Sequence, residues 1–423
     1  MRRGRRNAHW PARKSERTGE LPTSRTVIVA GAGIAGLTAA LALARNGFRV
    51  VVLEQAERLE ETGAGIQLSP NATRTLIELG LGERLRPHVV APLALRVLNA
   101  KNGREIVRMP LGDSAEQRYG APYWSIHRGD LQAALSSAVA ENLDISLRLG
   151  ERVEDFIAHD NGVTVSARGR SGIWHEHGDA VIAADGLWSV ARARMGYREP
   201  PRFAGRTAWR ALLPAEQAPP NFRAPLVYLW LGREAHIVHY PVKDGALINI
   251  VVIINDGWNA PGWSAPAQRD ELLPHLSVER VAPQVLGLIN QPEAWLKWAL
   301  FDRRPLLNWS QGAVALIGDA AHPMLPYLAQ GAAMAIEDAA VVAQCLAQMP
   351  DDATEALRTY CAVRRARAWK VQRLAGRNGG RYHLAGISAI ARNTAMRIMG
   401  GTRLLHHYDW LYDWRPPATL SIT

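Results

Sequence analysis

The sequence predicts an α/β protein: a domain built on a parallel sheet, interrupted by an inserted antiparallel β-sheet and closed by C-terminal helices. Three observations predict it. A glycine-rich strand–turn–helix–strand occupies residues 26–54. Residues 202–301 change texture into a series of strand-like segments. A second strand-to-helix junction, "AVALIGDAAHPMLPYLAQGAAMAIEDAA" at 313–340, then resumes the first pattern far along the chain from that glycine-rich turn.

With 423 residues, 48% of them hydrophobic, the chain is long enough for two domains or for one domain with a large insertion. A net charge of +11 suggests a nucleic-acid partner at first sight, but residues 1–25 carry eight Lys/Arg against two Glu, more than half of the excess. The remainder is only mildly basic, which argues against nucleic acid as a partner. Residues 1–25 lack apolar periodicity and read as a disordered basic extension, the alternatives being a misplaced start or a basic RNA- or membrane-binding arm. Cys345 and Cys361 share no metal-ligand or redox spacing, which fits a reducing compartment and no metal site. The uncharged run at 26–44 imitates a signal peptide or membrane helix. Its three glycines and the strand that follows favour a buried strand–turn–helix. The expectation is a cytoplasmic protein without integral membrane association.

"TVIVAGAGIAGLTAALALARNGFRVVVLE" reads as a strand at 26–30, a turn, a helix from about 34 to 45 and a strand at 49–53. Gly31, Gly33 and Gly36 stand in G-x-G-x-x-G order. The first permits a tight turn, the second a close approach of pyrophosphate to the backbone, the third close packing of helix on strand. The helix end offers phosphates free N–H groups and a positive dipole. Glu54 ends the second strand, where an acid bonds ribose hydroxyls. A turn used for packing alone leaves Glu54 without a reason. The pattern points to a Rossmann-like dinucleotide site and leaves FAD and NAD both open. The next segment, "GAGIQLSPNATRTLIELGL" at 63–81, is a glycine-flanked strand turning into a helix, which suits a second approach of backbone to a flat ligand.

Two further junctions are individually bland. "YWSIHRGDLQAALSSAV" places Arg128 where a strand meets a helix, with Asp130 near the first turn. "DAVIAADGLWSVARARM" ends a buried strand at 180–184 with Asp185-Gly186 and starts a helix near Ser189. Together with the 313–340 junction, these segments resemble the para-hydroxybenzoate-hydroxylase-type FAD monooxygenases. The resemblance covers residues 25–375 and rests on three motifs in order: the loop at 31–36, "DG" at 185–186 and "GD" at 318–319. "GAGIQLSPNA", "HRGDLQAAL", "MLPYLAQGAAMAIEDA" and the terminal "YDWLYDW" resemble the salicylate hydroxylase and 3-hydroxybenzoate 6-hydroxylase branch.

The resemblance implies a Rossmann-like FAD-binding domain with an inserted antiparallel β-sheet substrate domain and C-terminal helices. It implies FAD held at Gly31, Gly33, Ala35 and Gly36, with Glu54 on the adenosine ribose and Arg128 reaching the cofactor. Asp185 would lie between flavin and nicotinamide binding, and Asp319 on the ribityl chain. The Pro326 carbonyl would lie beside the flavin, with Gly331 and Ala332 at a helix end facing the negative charge of the reduced ring. The implied partners are NADH or NADPH, O2 and a small aromatic substrate such as salicylate or hydroxybenzoate, hydroxylated through a flavin C4a-hydroperoxide. The family binds nicotinamide transiently, without a second glycine-rich loop, and none is evident here. If the nicotinamide's adenosine end passes Glu57, Glu60 and Glu61, as the resemblance to some relatives implies, these acids, set against Arg58 alone, disfavour a 2′-phosphate and so favour NADH.

The chain divides into the extension at 1–25, the first part of the FAD-binding domain at 26–201, the substrate domain at 202–301, the return to the FAD-binding domain at 302–350, and C-terminal helices with a tail at 351–423. In the substrate domain, "GRTAWRALLP", "LVYLWLG", "AHIVHYPV" and "ALINIVVIIN" read as an antiparallel meander, with "KDG" at 243–245 as a hairpin turn. Trp230, Trp258, Trp263, Trp295 and Trp298 lie in or near it, most as core or interface residues with one or two left for an aromatic ligand. Phenol hydroxylation is eased by a base that removes the phenolic proton, and a neutral histidine suits that role. Alternation puts His236 and Tyr240 on one strand face and His239 on the other. His236 and Tyr240 resemble a His/Tyr pair of the 3-hydroxybenzoate branch, and a structural histidine is the alternative. Gln330 is a second candidate pocket residue, His322 reads as structural, and Arg210 after Trp209 reads as a surface or interdomain pair, the alternative being that it holds a substrate carboxylate. The aromatic tail docks on the body or on a second subunit, in a monomer or homodimer. An epoxidase, a decarboxylating or quinone-pathway hydroxylase, and an FAD-binding protein without oxygenase activity remain as rival readings. "WLKW" lacks the halogenase signature.

Overall fold

A computed structural model describes residues 25–59, 64–260, 264–276 and 280–418. The basic extension at 1–24, Glu60, Glu61 and Trp263 therefore lie outside the described residues.

The central sheet has six strands in the order Ser310–Gln311, Val314–Leu316, Ala180–Ala183, Thr26–Ala30, Arg49–Glu54 and Ile145–Leu149. All but the Ser310–Gln311 edge run parallel. Continuous apolar runs such as "VIVA" and "AVIA" suit strands buried on both faces. The helix Ile34–Arg45 is apolar almost all round because it is buried almost all round, between this sheet and the helix Gly331–Gln348. Parallel strands share one carboxyl end. Gly31, Glu54, Asp185 and Asp319 end or follow four adjacent strands, so residues up to 288 positions apart reach one edge of the sheet.

The second large sheet has eight strands, in the order Ser264–Ala267, Trp295–Asp302, Arg202–Pro214, Leu247–Asn255, Ala235–Val242, Leu226–Leu231, Ala94–Asn99 and Glu105–Pro110. The segment 202–301 does not build it alone. Ala94–Asn99 and Glu105–Pro110, which fall within 26–201, supply the last two strands. The sheet is also not wholly antiparallel: Leu226–Leu231 runs parallel to Ala94–Asn99. "KDG" does make the expected hairpin turn, with Lys243, Asp244 and Gly245 all at positive φ.

The sheet has two apolar faces with different neighbours. Trp209, Ala211, Leu213, Ile237, Ile250 and Val252 point outward into a core closed by the helix Pro283–Ile289. Ala208, His236, Tyr240, Val251 and Ile253 point inward. Beneath them lies a small antiparallel sheet of Gly65–Leu68, Trp124–His127 and Val89–Val90. The sheets approach so closely at Gly65 that an added Cβ would fall 2.7 Å from Asn249 and 2.8 Å from Tyr240. Asn249 Oδ1 instead accepts the Gly65 N–H at 2.7 Å.

The helices Ala353–Tyr382 and Gly386–His407 follow, the second interrupted at Gly400. The aromatic tail docks on the body of its own chain: Tyr412 packs edge-on to Tyr119 and Tyr123, and the Trp414 carbonyl accepts from Arg74 Nη1 at 2.6 Å. Among the described residues, no helix is long and apolar enough to cross a membrane.

Candidate active site

The glycine-rich loop is a cradle whose shape forbids side chains where the backbone crowds and leaves room where a ligand would pass. Gly31 sits at φ +102°, and a Cβ there would fall 2.7 Å from the Ala184 carbonyl oxygen. A Cβ on Gly36 would fall 1.8 Å from the Gly31 carbonyl oxygen, while one on Gly33 would meet nothing within 4 Å. Glu54 folds back over the loop, Oε2 accepting from the Ala32 N–H at 2.7 Å and Oε1 from the Ala56 N–H at 2.9 Å. This fixes a part-exposed carboxylate beside the loop, as diol binding requires. Ala35 turns its methyl toward Gly318, where the helices cross: a Cβ on Gly318 would lie 3.2 Å from it.

Asp185 and Asp319 continue the same edge. Asp185 Oδ2 accepts from the Ala191 N–H at 3.0 Å and so helps Ser189 start the helix Val190–Arg194, while Oδ1 is enclosed without a partner among the described residues. Burial raises its pKa, against the hydrogen bonds from Ser189 and the backbone. Asp319 keeps exposed surface, yet lies deep enough that burial raises its pKa against His322 and Arg128. Burial likewise lowers the Arg128 pKa, offset by Asp319. Exposed surface on a deeply placed carboxylate means that it faces an internal cleft. The orphaned Asp185 oxygen, the space at Gly33, the Glu54 carboxylate and the Asp319–Arg128 pair fit the diol, pyrophosphate and polyol of FAD. Arg192 Nη1 donates to the Ala320 carbonyl at 3.1 Å, tying the "DG" and "GD" segments together.

The turn before Gly331–Gln348 contains Ala329 at φ 51°, a left-handed conformation that a non-glycine residue holds only under constraint. It ends the short turn Pro326–Leu328 and aims the helix end at the cleft. Gly331 and Ala332 are part-exposed there, with first-turn N–H groups that have no partner within the helix. The Pro326 carbonyl accepts the Ala329 N–H at 3.1 Å, which leaves its second lone pair for a neighbour. One expectation changes. The Gln330 amide is committed to the scaffold: Nε2 donates to Ser69 Oγ at 2.8 Å, and Oε1 accepts from Asn71 Nδ2 at 3.2 Å. His322 is structural, with Nε2 2.5 Å from Asp338 Oδ2.

Behind that helix end lies a network that the sequence analysis missed. Asn71 Nδ2 also donates to Glu337 Oε1 at 2.6 Å, and Arg367 clasps Glu337 through Nε at 2.8 Å and Nη2 at 2.7 Å. Fully buried Arg364 donates from Nε to Asp338 Oδ1 at 2.8 Å. Its Nη1 lies 2.6 Å from Glu337 Oε2 without hydrogen-bond alignment, so that contact is an ion pair only. The signal was two carboxylates inside the apolar run "AAMAIEDAA".

The inward face of the large sheet supplies the other wall. His236 is buried, with Nδ1 2.8 Å from His383 Nε2 and its ring against Tyr327 and Tyr382. Burial first, then His383 and Arg206, hold its pKa well below the ordinary value, so the ring is neutral at pH 7. His239 faces the outer core, stacked on Tyr228 at 4.3 Å. The expected alternation holds. Tyr240 lies near Gln67 and Arg210, with burial raising its pKa against both. Arg210 is not a surface arginine. Burial lowers its pKa, its Nε is enclosed without a partner, and its guanidinium lies 4.8 Å from the Trp298 ring. Alternation carried the signal, since Trp209 fills the outer core and Arg210 must face the other way.

Known proteins resemble this chain in sequence and fold. Residues 24–375 match the model of the FAD binding domain family. A 3-hydroxybenzoate 6-hydroxylase from Aquipseudomonas alcaligenes is 38% identical over 387 residues, 91% of this chain and 97% of that protein. A 3-amino-4-hydroxybenzoate 2-monooxygenase from Streptomyces platensis is 37% identical over 390 residues, 92% of this chain and 96% of that protein. A solved salicylate hydroxylase substrate complex matches with a TM-score of 0.77 and 27% identity, covering 93% of this chain and 96% of that one. Fold, cradle and relatives together define an FAD-dependent aromatic monooxygenase. The chain belongs to the FAD binding domain family.

The cradle gives a direct test. In Gly36→Ala, the clash with the Gly31 carbonyl is backbone against Cβ and has no flexible side chain to relieve it. About 1–3 kcal/mol of strain is expected, enough to weaken FAD binding by about tenfold or more. The ratio of flavin to protein absorbance after purification reads it, and a ratio equal to that of the parent protein would refute the packing argument.

Proposed function

We propose that the protein hydroxylates a phenolic aromatic acid of the hydroxybenzoate kind, with NADH and O2, as a cytoplasmic monomer or homodimer. The observation that carries the substrate class is Arg210, a part-exposed guanidinium on the inward sheet face whose enclosed Nε has no partner among the described residues. A desolvated cation calls for an anion, and a planar carboxylate matches its fork. Tyr240 and Gln67 stand beside it. His236, on the same strand face as Tyr240, offers Nε2 to a phenolic proton, because its Nδ1 is occupied by His383. The relatives fit this reading: two are named for hydroxybenzoates and one for salicylate.

Bound FAD supplies hydride acceptance and oxygen activation. Gly31, Gly33, Glu54, Arg128, Asp185 and Asp319 would hold it, and the N–H groups of Gly331 and Ala332 present a positive helix end toward negative charge on its ring. Glu57 supports NADH over NADPH, although it also pairs with Arg170 at 2.8 Å. The inserted strands between 202 and 301, together with Ala94–Asn99 and Glu105–Pro110, would roof the substrate.

A panel of phenolic acids tests the reading, with NADH loss and product mass followed together. The expected result is faster NADH oxidation with salicylate or a hydroxybenzoate, and a product heavier by one oxygen, or one that has gained an oxygen and lost carbon dioxide, a net loss of CO, if decarboxylation accompanies it. NADH loss that no acid accelerates, with no oxygenated product, would reject the proposal.

A further inference from the structure

The sheet does not hold His236 alone. His383 reaches it from the end of the long helix Ala353–Tyr382, 147 positions later in the chain, at 2.8 Å between Nδ1 and Nε2 and 5.0 Å between ring centroids. Four other groups face the pair. Arg206 comes from the strand Arg202–Pro214, Tyr327 from the turn before the flavin-side helix, Tyr382 from the end of the long helix, and Arg392 from the helix that follows. Among the described residues, neither ring pairs with a carboxylate.

That environment is the reverse of a histidine steadied by an acid. Burial, then Arg206 and Arg392, lower the His383 pKa to about 3, and the His236 pKa falls in the same direction. An imidazolium on either ring would sit in a buried site flanked by guanidinium groups. A lone base would have to carry that charge through the reaction. Two imidazoles in series do not.

We propose that His383 and His236 form a proton relay: His383 fixes the Nδ1–H tautomer of His236 and takes that proton as His236 Nε2 receives the phenolic proton. The phenolic O–H bond breaks and an Nε2–H bond forms on His236. The Nδ1–H of His236 moves to His383 Nε2, and the Nδ1–H of His383 leaves to water. Both rings exchange tautomers and stay neutral, and one proton passes from substrate to solvent. His383 Nδ1 is enclosed and has no partner among the described residues, while the ring is part-exposed at the helix end, so the relay ends on a water that enters beside that nitrogen. His383 acts through His236 and is a positioning and relay residue.

The inference rests on the phenolic-acid reading, and its test separates the two. In the FAD-loaded protein, ¹⁵N spectra of labelled histidines should show His236 with a protonated Nδ1 and a free Nε2, a state lost in His383→Ala. His383→Gln keeps a carbonyl acceptor for the Nδ1–H but cannot pass a proton on. It should retain flavin content and the KM for the acid, with hydroxylation about 100-fold slower at neutral pH and recovering as pH rises toward the ionisation of the phenol itself. Added imidazole should restore part of the rate in His383→Ala. A wild-type rate across the pH range in His383→Gln, or a His236 ring protonated at Nε2, would overturn the relay. Equal loss of thermal stability and rate with an unchanged pH profile would also overturn it, since a structural role produces that. If instead His236→Ala hydroxylates normally, the reading of His236 as base falls first.

Discussion

Arg364→Met should destabilise the fold by about 3–5 kcal/mol, because it strips a cation from two buried carboxylates. Arg364, Glu337 and Asp338 have no solvent exposure. Methionine keeps most of the volume, so the loss is chiefly electrostatic. The two acids do not suffer equally. Glu337 retains Arg367 and Asn71, whereas Asp338 is left with His322 and the Gly318 N–H. Burial pushes the Asp338 carboxyl up, but His322 and Arg364 outweigh it and hold its pKa below the usual carboxylate range. A depressed carboxylate stabilises the fold above its unfolded pKa, and that contribution is lost as pH falls through the folded value. The deficit of the variant should therefore be largest at neutral pH and shrink below about pH 4. Urea unfolding at pH 7 and in steps from pH 4 down to about pH 3 reads both effects. Asp338 also holds Gly318, the residue before Asp319, so flavin content should fall together with stability. A difference under about 1 kcal/mol at pH 7 would place this arginine among ordinary ion pairs.

The cradle was legible because its requirements are local. Close backbone contacts demand glycine at Gly31 and Gly36, and a strand must end in an acid at Glu54, all within 24 residues of chain. The "GD" half needed the family resemblance, because only the order of strands in the sheet brings Asp319 to the same edge as Gly31. Strand pairing was least legible. "ALRVLN" and "EIVRMP" alternate poorly, and nothing local in them selects Leu226–Leu231 as a neighbour more than a hundred residues away. His383 was invisible for a related reason: a histidine just past a helix end gains meaning only from what the fold sets against it. Gln330 shows the converse. Its position beside the flavin-side helix was readable, but the direction of its amide depended on Ser69 and Asn71.

Arg210→Met should raise the KM for the aromatic acid about 100-fold, the equivalent of about 2.7 kcal/mol, while flavin content stays near that of the parent protein. The guanidinium is held by the fold before substrate arrives: it stacks on Trp298, and among the described residues its Nε has no partner. A site prepared in this way gives up little side-chain freedom on binding. Truncating one partner of a buried charge pair costs about 2–5 kcal/mol. Arg210→Lys keeps the charge but loses the planar fork, and should fall between the two. A substrate analogue with a primary amide in place of the carboxylate closes a double-mutant cycle. If Arg210 meets the carboxylate, the amide binds parent and variant with similar affinity, and the coupling between residue and carboxylate accounts for most of the loss. If the acid and the amide lose affinity equally in Arg210→Met, the carboxylate is held elsewhere, and Arg128, whose charge lowers the Arg210 pKa, is the next cation to test.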